Sequence, residues 1–150
     1  MELKVLPVFQ VLIATLLMVL ITRIFPQFNF ELSTNKIFSL GIFLLAMIVG
    51  LLAVYCFKQH QTTVNPTKPE NASKVVDSGI YALSRNPMYL ALVLVLISLC
   101  FYLHNVSAFF ILPPFIWYIT KYQIIPEEQA LTILFGEDFE SYCSRVRRWV

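Results

Sequence analysis

Residues 37–57 read IFSLGIFLLAMIVGLLAVYCF, a run without a single charged side chain. About 20 apolar residues are enough for a helix to cross the hydrocarbon of a bilayer. Gly41, Ala46, Gly50 and Ala53 recur within the run at near-helical spacing. Small residues so placed suit a face that another helix approaches closely; the ordinary Gly and Ala content of a membrane helix is the alternative explanation. The composition of the whole chain agrees with a membrane reading. Of 150 residues, 58% are hydrophobic and 13% charged, and the mean hydropathy is +0.72. A soluble domain carries about a quarter charged residues, so there is too little polar surface here to cover a soluble globule. Intrinsic disorder, nucleic-acid binding and a secreted disulfide scaffold fit poorly, and a net charge of +2 does not call for a polyanionic partner. The three cysteines, Cys56, Cys100 and Cys143, form no CxxC pair. Two of them lie in apolar runs, where Cys behaves as a small hydrophobe, and no metal site is expected.

Upstream, residues 5–24 form a first span interrupted by little more than Pro7, Gln10 and Arg23. Pro7 falls where a helix begins and tolerates proline, and Arg23 is placed to snorkel to the interface. The segment lacks a small-residue cleavage site and reads as a retained helix, not a signal peptide. Downstream, Lys58 to Arg85 is a polar insert rich in turn formers, including Pro66, Pro69, Ser78 and Gly79. Two shorter apolar segments follow, Met88–Leu103 and Val106–Thr120, separated by His104-Asn105. They read as a helical hairpin whose second arm is kinked by Pro113-Pro114.

The tail from Pro126 reads as a separate helix opened by proline, Glu127 and Glu128 and closed by Gly136. A second helix is expected from Asp138. Phe139, Tyr142, Val146 and Trp149 give it an apolar face, beside Arg145, Arg147 and Arg148. That face suits the membrane surface; packing on the chain's own polar insert is the alternative. The expected fold is thus all-α. It is one domain over residues 1–150, with four membrane-embedded helices and a C-terminal amphipathic cytosolic segment. Residues 5–24 and 37–57 supply the N-terminal spans, and 58–150 supply the region that carries chemistry. With the N-terminus inside, Lys4, Lys58, Lys68, Lys74, Arg85, Lys121, Arg145, Arg147 and Arg148 fall on the inner side and only Arg23 and Lys36 outside, as the positive-inside rule requires.

Two clusters stand out against this frame. One is Gly79-Ile80-Tyr81-Ala82-Leu83-Ser84-Arg85-Asn86-Pro87-Met88-Tyr89; the other is Glu127-Glu128-Gln129-Ala130-Leu131, followed by Phe135-Gly136 and later by Tyr142 and Arg147-Arg148-Trp149. Singly, each has a structural explanation. Asn86 caps a helix with Pro87 at its first position, and the two glutamates form a solvated first turn. The hairpin, however, brings the two clusters to one membrane edge.

Taken in order, Gly-Ile-Tyr, Arg-Asn-Pro-Met-Tyr and Glu-Glu-x-x-Leu-x-x-x-Phe-Gly resemble the isoprenylcysteine carboxyl methyltransferase family, to which the membrane phospholipid methyltransferases are related in plan. The resemblance covers roughly Gln59 to Trp149. It implies a methyltransferase using S-adenosylmethionine in a pocket facing the cytosol, in a bacterial-type protein of the inner membrane. It places cofactor-binding residues at Ser73, Lys74, Val75, Val76, Tyr81, Asn86, Pro87, Met88, Tyr89 and Glu127. Catalytic positions implied are Arg85, Asn86 and Tyr89. Two departures are visible. Asn86 stands where eukaryotic members have histidine. Gln123 stands where the family has an arginine that engages the substrate carboxylate, which points away from a prenylcysteine and toward another amphiphile.

These residue types suit methyl transfer. A sulfonium methyl is already activated, so the protein's task is to hold acceptor and methyl carbon close and in line. A carboxylate at Glu127 accepts hydrogen bonds from an ammonium or hydroxyl group. Tyr81 and Tyr89 offer flat apolar faces, and the start of the third helix favours an anion. Expected partners are an amphiphilic or lipid acceptor and membrane lipids, with no nucleic acid; the acceptor's identity and the oligomeric state stay open. Competing readings are a membrane NADPH-dependent reductase of the sterol-reductase type and a small membrane binding or scaffold protein without catalysis. His60 reads as a bystander in the polar insert and His104 as interfacial.

Overall fold

The protein is described by a computed structural model covering residues 6–30, 35–59 and 74–150. Its regular elements are helices: α1 (Pro7–Ile24), α2 (Asn35–Gln59), α3 (Pro87–Leu103), α4 (Leu112–Ile119), α5 (Ile125–Phe135) and α6 (Glu137–Arg145). Helices α1 and α2 are long and apolar enough to cross a membrane, and so is the continuous helical stretch Val106–Phe135; α3 is a shorter apolar helix. The all-α membrane bundle expected from the sequence is the fold.

Helix α3 is the centre of the bundle. Tyr89, Ala91, Val93, Leu96, Ser98 and Cys100 are all buried, residues that lie on several sides of the helix. Helix α2 runs along it, with α1 and the 3-10 segment Val106–Ile111 on other sides. Each outer helix offers one stripe. Ala14 and Met18 of α1 enter the main core with Leu96, Phe115 and Ile119. Ala46, Val49, Ala53 and Cys56 form the buried stripe of α2, at spacings of three and four that keep them on one helical face. Gly50 belongs to the same contact: a Cβ there would lie 3.5 Å from Ala91 Cβ. Gly41 does not, since nothing stands within 4 Å of its Cβ position. The opposite faces of α1 and α2 expose Leu12, Leu16, Leu20, Leu44, Ile48 and Leu51. Apolar surface of this kind is stable in lipid and not in water.

The α3 hairpin turns at His104, in the left-handed conformation (φ 54°), and Asn105. Asn105 is fully buried. Its amide donates to Phe25 O (2.9 Å) and Asn29 Oδ1 (2.7 Å), and its Oδ1 accepts the Ser107 N–H (2.8 Å). Phe30 N–H adds a bond to His104 O (2.9 Å). The α1–α2 connection is thereby tied to the α3 turn at one end of the bundle, the end where Arg23 and Lys36 lie. Residues 74–85, the start of α3 and the C-terminal segment meet at the other end.

Two expectations need correcting. The tail is not a separate helix after the fourth span: α4 and α5 are joined by a π-helical turn, Thr120–Ile124. The Ile125 N–H reaches back five residues to Thr120 O. One extra residue in the turn takes up the hydrogen bond that Pro126 cannot make, so the helix continues through the proline and carries Glu127 on from the membrane helix. Pro113-Pro114 likewise sit not mid-helix but in the first turn of α4, where missing N–H donors cost little. They mark the change from 3-10 to α winding.

Candidate functional site

The floor of the site is set by a glycine. Gly79 has φ +61°, and a Cβ there would lie 2.8 Å from Cys56 Sγ. Only glycine accepts this backbone and this approach to α2. The turn lays Val76 and Tyr81 on Ala53 and Cys56. Tyr81 meets Phe57 edge-on with ring centroids 5.1 Å apart, and its carbonyl accepts the Tyr142 hydroxyl at 2.8 Å. Burial pushes the pKa of both phenols above the usual tyrosine range; Glu127 adds to the rise at Tyr81, while Arg85 opposes it at Tyr142. Both therefore act as neutral hydroxyls.

The start of α3 is pinned from two directions. The buried Ser84 hydroxyl accepts the Asn86 N–H at 3.1 Å, and Pro87 follows at the first helical position. The Asn86 side chain makes no capping bond, contrary to expectation. Its amide donates instead to Arg148 O at 3.0 Å, beside a bond from Arg85 N–H to Arg147 O at 3.0 Å. The C-terminal strand of chain after α6 has taken the asparagine that the local sequence assigns to the helix end.

Phe139, Tyr142 and Val146 face inward as their spacing predicts, but they bury against Val75, Leu131 and Phe135. The apolar face of the tail packs on Val75 and α5, and Trp149 packs against the main core. Arg145 adds an exposed pair with Asp77 at 3.4 Å.

Helix α5 then brings its glutamates to the start of α3. The Tyr89 hydroxyl donates to Glu127 Oε2 at 2.8 Å. Glu128 is shared by two arginines. Arg148 donates from Nε to both carboxylate oxygens (3.2 and 3.1 Å) and from Nη2 to Oε2 (2.6 Å). Arg85 Nη2 lies 3.3 Å from Oε1. The hydrogen bonds that Arg148 donates to Glu128 hold its pKa above the usual arginine value.

These groups line one end of a cavity of about 540 Å³, within the range of small-molecule sites. Lys74, Val75, Val76, Tyr81, Arg85, Asn86, Met88, Tyr89 and Glu127 all border it. Pro87 is fully buried and does not. Ser73 and His60 lie outside the described residues. Gln123 is 1% exposed and absent from the cavity wall, so position 123 does not face the site. Lys121 stacks over Trp117 (4.9 Å) and Tyr122 (5.5 Å), away from it, and His104 is at the far end. Sequence reasoning assigned no site role to three residues that border the cavity: Glu128 and Tyr142, though both stand in the second cluster, and Phe139, read only as part of the tail's apolar face. It also missed the apolar arm, where Leu6, Pro7, Met47, Gly50, Leu51 and Val54 of α1 and α2 continue the same cavity toward the membrane faces. Their spacing signalled helix packing and gave no sign of a gap between the helices.

A family model described as phospholipid methyltransferase matches residues 34–138. A protein of Haemophilus influenzae (strain ATCC 51907 / DSM 11121 / KW20 / Rd), described as uncharacterized, is 38% identical over 63 residues, which span 42% of this chain and 100% of that protein. No solved structure matches the chain. The family match takes in α2, the polar insert, α3 and both glutamates, well over half of the chain, and with the membrane-length helices around that cavity it makes the chain a member of the phospholipid methyltransferase family, a membrane methyltransferase.

Proposed function

We propose that the protein transfers a methyl group from S-adenosylmethionine to a lipid-like or amphiphilic acceptor, at the cytosolic side of a bacterial inner membrane. The carrying observation is the single cavity that joins the Tyr89–Glu127 pair to an apolar arm between α1, α2 and α3. The donor set fits the cofactor. Glu127 is a carboxylate for an ammonium or hydroxyl group, oriented by Tyr89 through one oxygen. Val76 and Tyr81 are buried apolar walls suited to a purine. When bound, the cofactor supplies a methyl group already activated on a sulfonium.

What the chain contributes is binding and alignment. Glu127 and Tyr89 fix the polar end, Asn86 and the α3 start hold the turn beside it, and the apolar arm receives the acceptor's hydrocarbon. Proximity of this kind supplies much of a group-transfer rate, and exclusion of water by the apolar arm protects the reacting pair. An isoprenylcysteine acceptor requires a group other than residue 123 to hold its carboxylate. Calorimetric titration of the purified chain with S-adenosylmethionine, followed by label transfer into membrane lipid extracts, tests the reading. Saturable binding and a labelled lipid are expected; neither binding nor transfer would remove it.

A further inference from the structure

Arg85 is an under-used cation at the junction of the polar end and the apolar arm. Its side chain is 14% exposed and borders the cavity. Burial of a guanidinium is costly unless its donors are satisfied. Yet its counter-ion is committed elsewhere: Arg148 takes both oxygens of Glu128 with three hydrogen bonds, the shortest 2.6 Å. Arg85 keeps a single 3.3 Å ion pair to the same carboxylate, and its Nε finds no hydrogen-bond partner among the described residues. Glu127, the second carboxylate at this end, is bonded to Tyr89, so the two arginines share Glu128, and the one that borders the cavity is the less neutralised. With Lys74, which borders the same cavity, three cations stand against two carboxylates among the described residues, an excess of one positive charge.

We propose that Arg85 is an anion subsite, which receives a carboxylate or phosphate of a ligand seated in the cavity. Arg148 is a positioning residue that keeps Glu128 from neutralising it. The planar guanidinium fork matches either anion by paired hydrogen bonds. The subsite rests on the reading of this cavity as the cofactor and acceptor site, and it supplies the positive charge that Gln123 and Lys121, both turned away, do not.

The anion has two sources, the amino-acid end of the cofactor or the headgroup of the acceptor, and matched probes separate them. Binding to the full chain in lipid nanodiscs is measured for S-adenosylmethionine against its decarboxylated form, and for dodecyl phosphate against dodecanol. Arg85→Gln is expected to weaken one charged probe about 10- to 100-fold while its uncharged partner changes by less than about threefold. Loss on S-adenosylmethionine assigns the anion to the cofactor; loss on dodecyl phosphate assigns it to the acceptor. Arg148→Ala is expected to weaken the same probe, because Glu128 then turns fully to Arg85. Glu128→Gln is expected to preserve or strengthen it. A merely structural network would make all three variants act alike.

Equal losses on charged and uncharged probes, or charged binding unmoved in both Arg85→Gln and Arg148→Ala, overturn the subsite. If Arg85→Gln does not fold, the opposed effects of Arg148→Ala and Glu128→Gln decide it. A wild-type chain that binds neither form of the cofactor removes the S-adenosylmethionine reading instead, and the dodecyl phosphate–dodecanol difference still decides the subsite.

Discussion

The Tyr89 hydroxyl and Glu127 Oε2 are 2.8 Å apart, a bond that closes 38 residues of chain between the first turn of α3 and the first turn of α5. It makes Glu127 a fixed carboxylate and not a mobile first-turn side chain, and it sets apart two adjacent glutamates that look alike in the sequence. Glu127 serves the cavity; Glu128 serves two arginines. Glu127→Gln is expected to weaken S-adenosylmethionine binding about 10- to 100-fold through loss of a charge-assisted hydrogen bond. Glu128→Gln is expected to spare that binding and to lower stability by about 1–3 kcal/mol, since it strips both guanidiniums of their counter-ion. Calorimetry and denaturant unfolding separate the two readouts; equal losses of affinity would mean that the two carboxylates share one role.

Tyr89→Phe keeps the ring and removes only the donor. The expected outcome is a smaller loss of cofactor affinity than in Glu127→Gln, with a stability cost of about 1 kcal/mol. An unchanged affinity would show that Glu127 is held in place by its surroundings without the phenol.

Much of this arrangement was legible in the sequence because membrane spans and linear motifs are local signals. The charge-free run at 37–57, the turn at His104-Asn105 and the stop at Gly136 each follow from the residues on the spot. So do the site residues that sit within the two quoted clusters. What the sequence hid is carried by long-range pairings. Asn86 has every local feature of a helix cap, yet its amide goes to Arg148 O, 62 residues away. Pro126 looks like a helix start, yet the preceding π turn absorbs it. The tail's apolar face was visible; its partner, Val75 and α5, was not, because periodicity reports that a face is buried and not against what.

Gly79 offers a test of the floor of the site. Gly79→Ala forces a non-glycine residue to φ +61° and a Cβ to within 2.8 Å of Cys56 Sγ. The left-handed conformation alone costs roughly 1–2 kcal/mol, and the close contact adds to it. The double variant with Cys56→Ala is expected to recover the contact part and leave the conformational part, so the two changes are non-additive. Unfolding in detergent measures both; strict additivity would show that α2 and the turn do not meet there.

The described cations divide between the two ends of the bundle, with Arg23 and Lys36 at one and Lys58, Lys74, Arg85, Lys121, Arg145, Arg147 and Arg148 at the other. The positive-inside rule predicts that the cavity end faces the cytosol. In a Cys143→Ser background, Gln27→Cys is expected to react with an impermeant thiol reagent in intact cells, and Ser141→Cys only after permeabilisation. Both positions are exposed. Labelling of Ser141→Cys from outside would invert the orientation.

Gln123 is the position where the resemblance predicts a substrate-binding arginine, and its placement leads to a different expectation. It is 1% exposed, on the π turn, and does not border the cavity. Gln123→Ala is therefore expected to act on packing alone. Removing a buried polar side chain and its volume typically costs about 1–3 kcal/mol of stability, while S-adenosylmethionine affinity and the KM for any accepted amphiphile stay within about threefold of the parent protein. Arg85→Gln should give the opposite pattern, a shift in ligand binding larger than its shift in unfolding midpoint. Steady-state kinetics on labelled methyl transfer, paired with unfolding of the same preparations, compares the two. A rise in acceptor KM in Gln123→Ala without a matching loss of stability would show that the side chain turns into the cavity when the acceptor is bound, and the acceptor anion would then belong to the π turn and not to the start of α3.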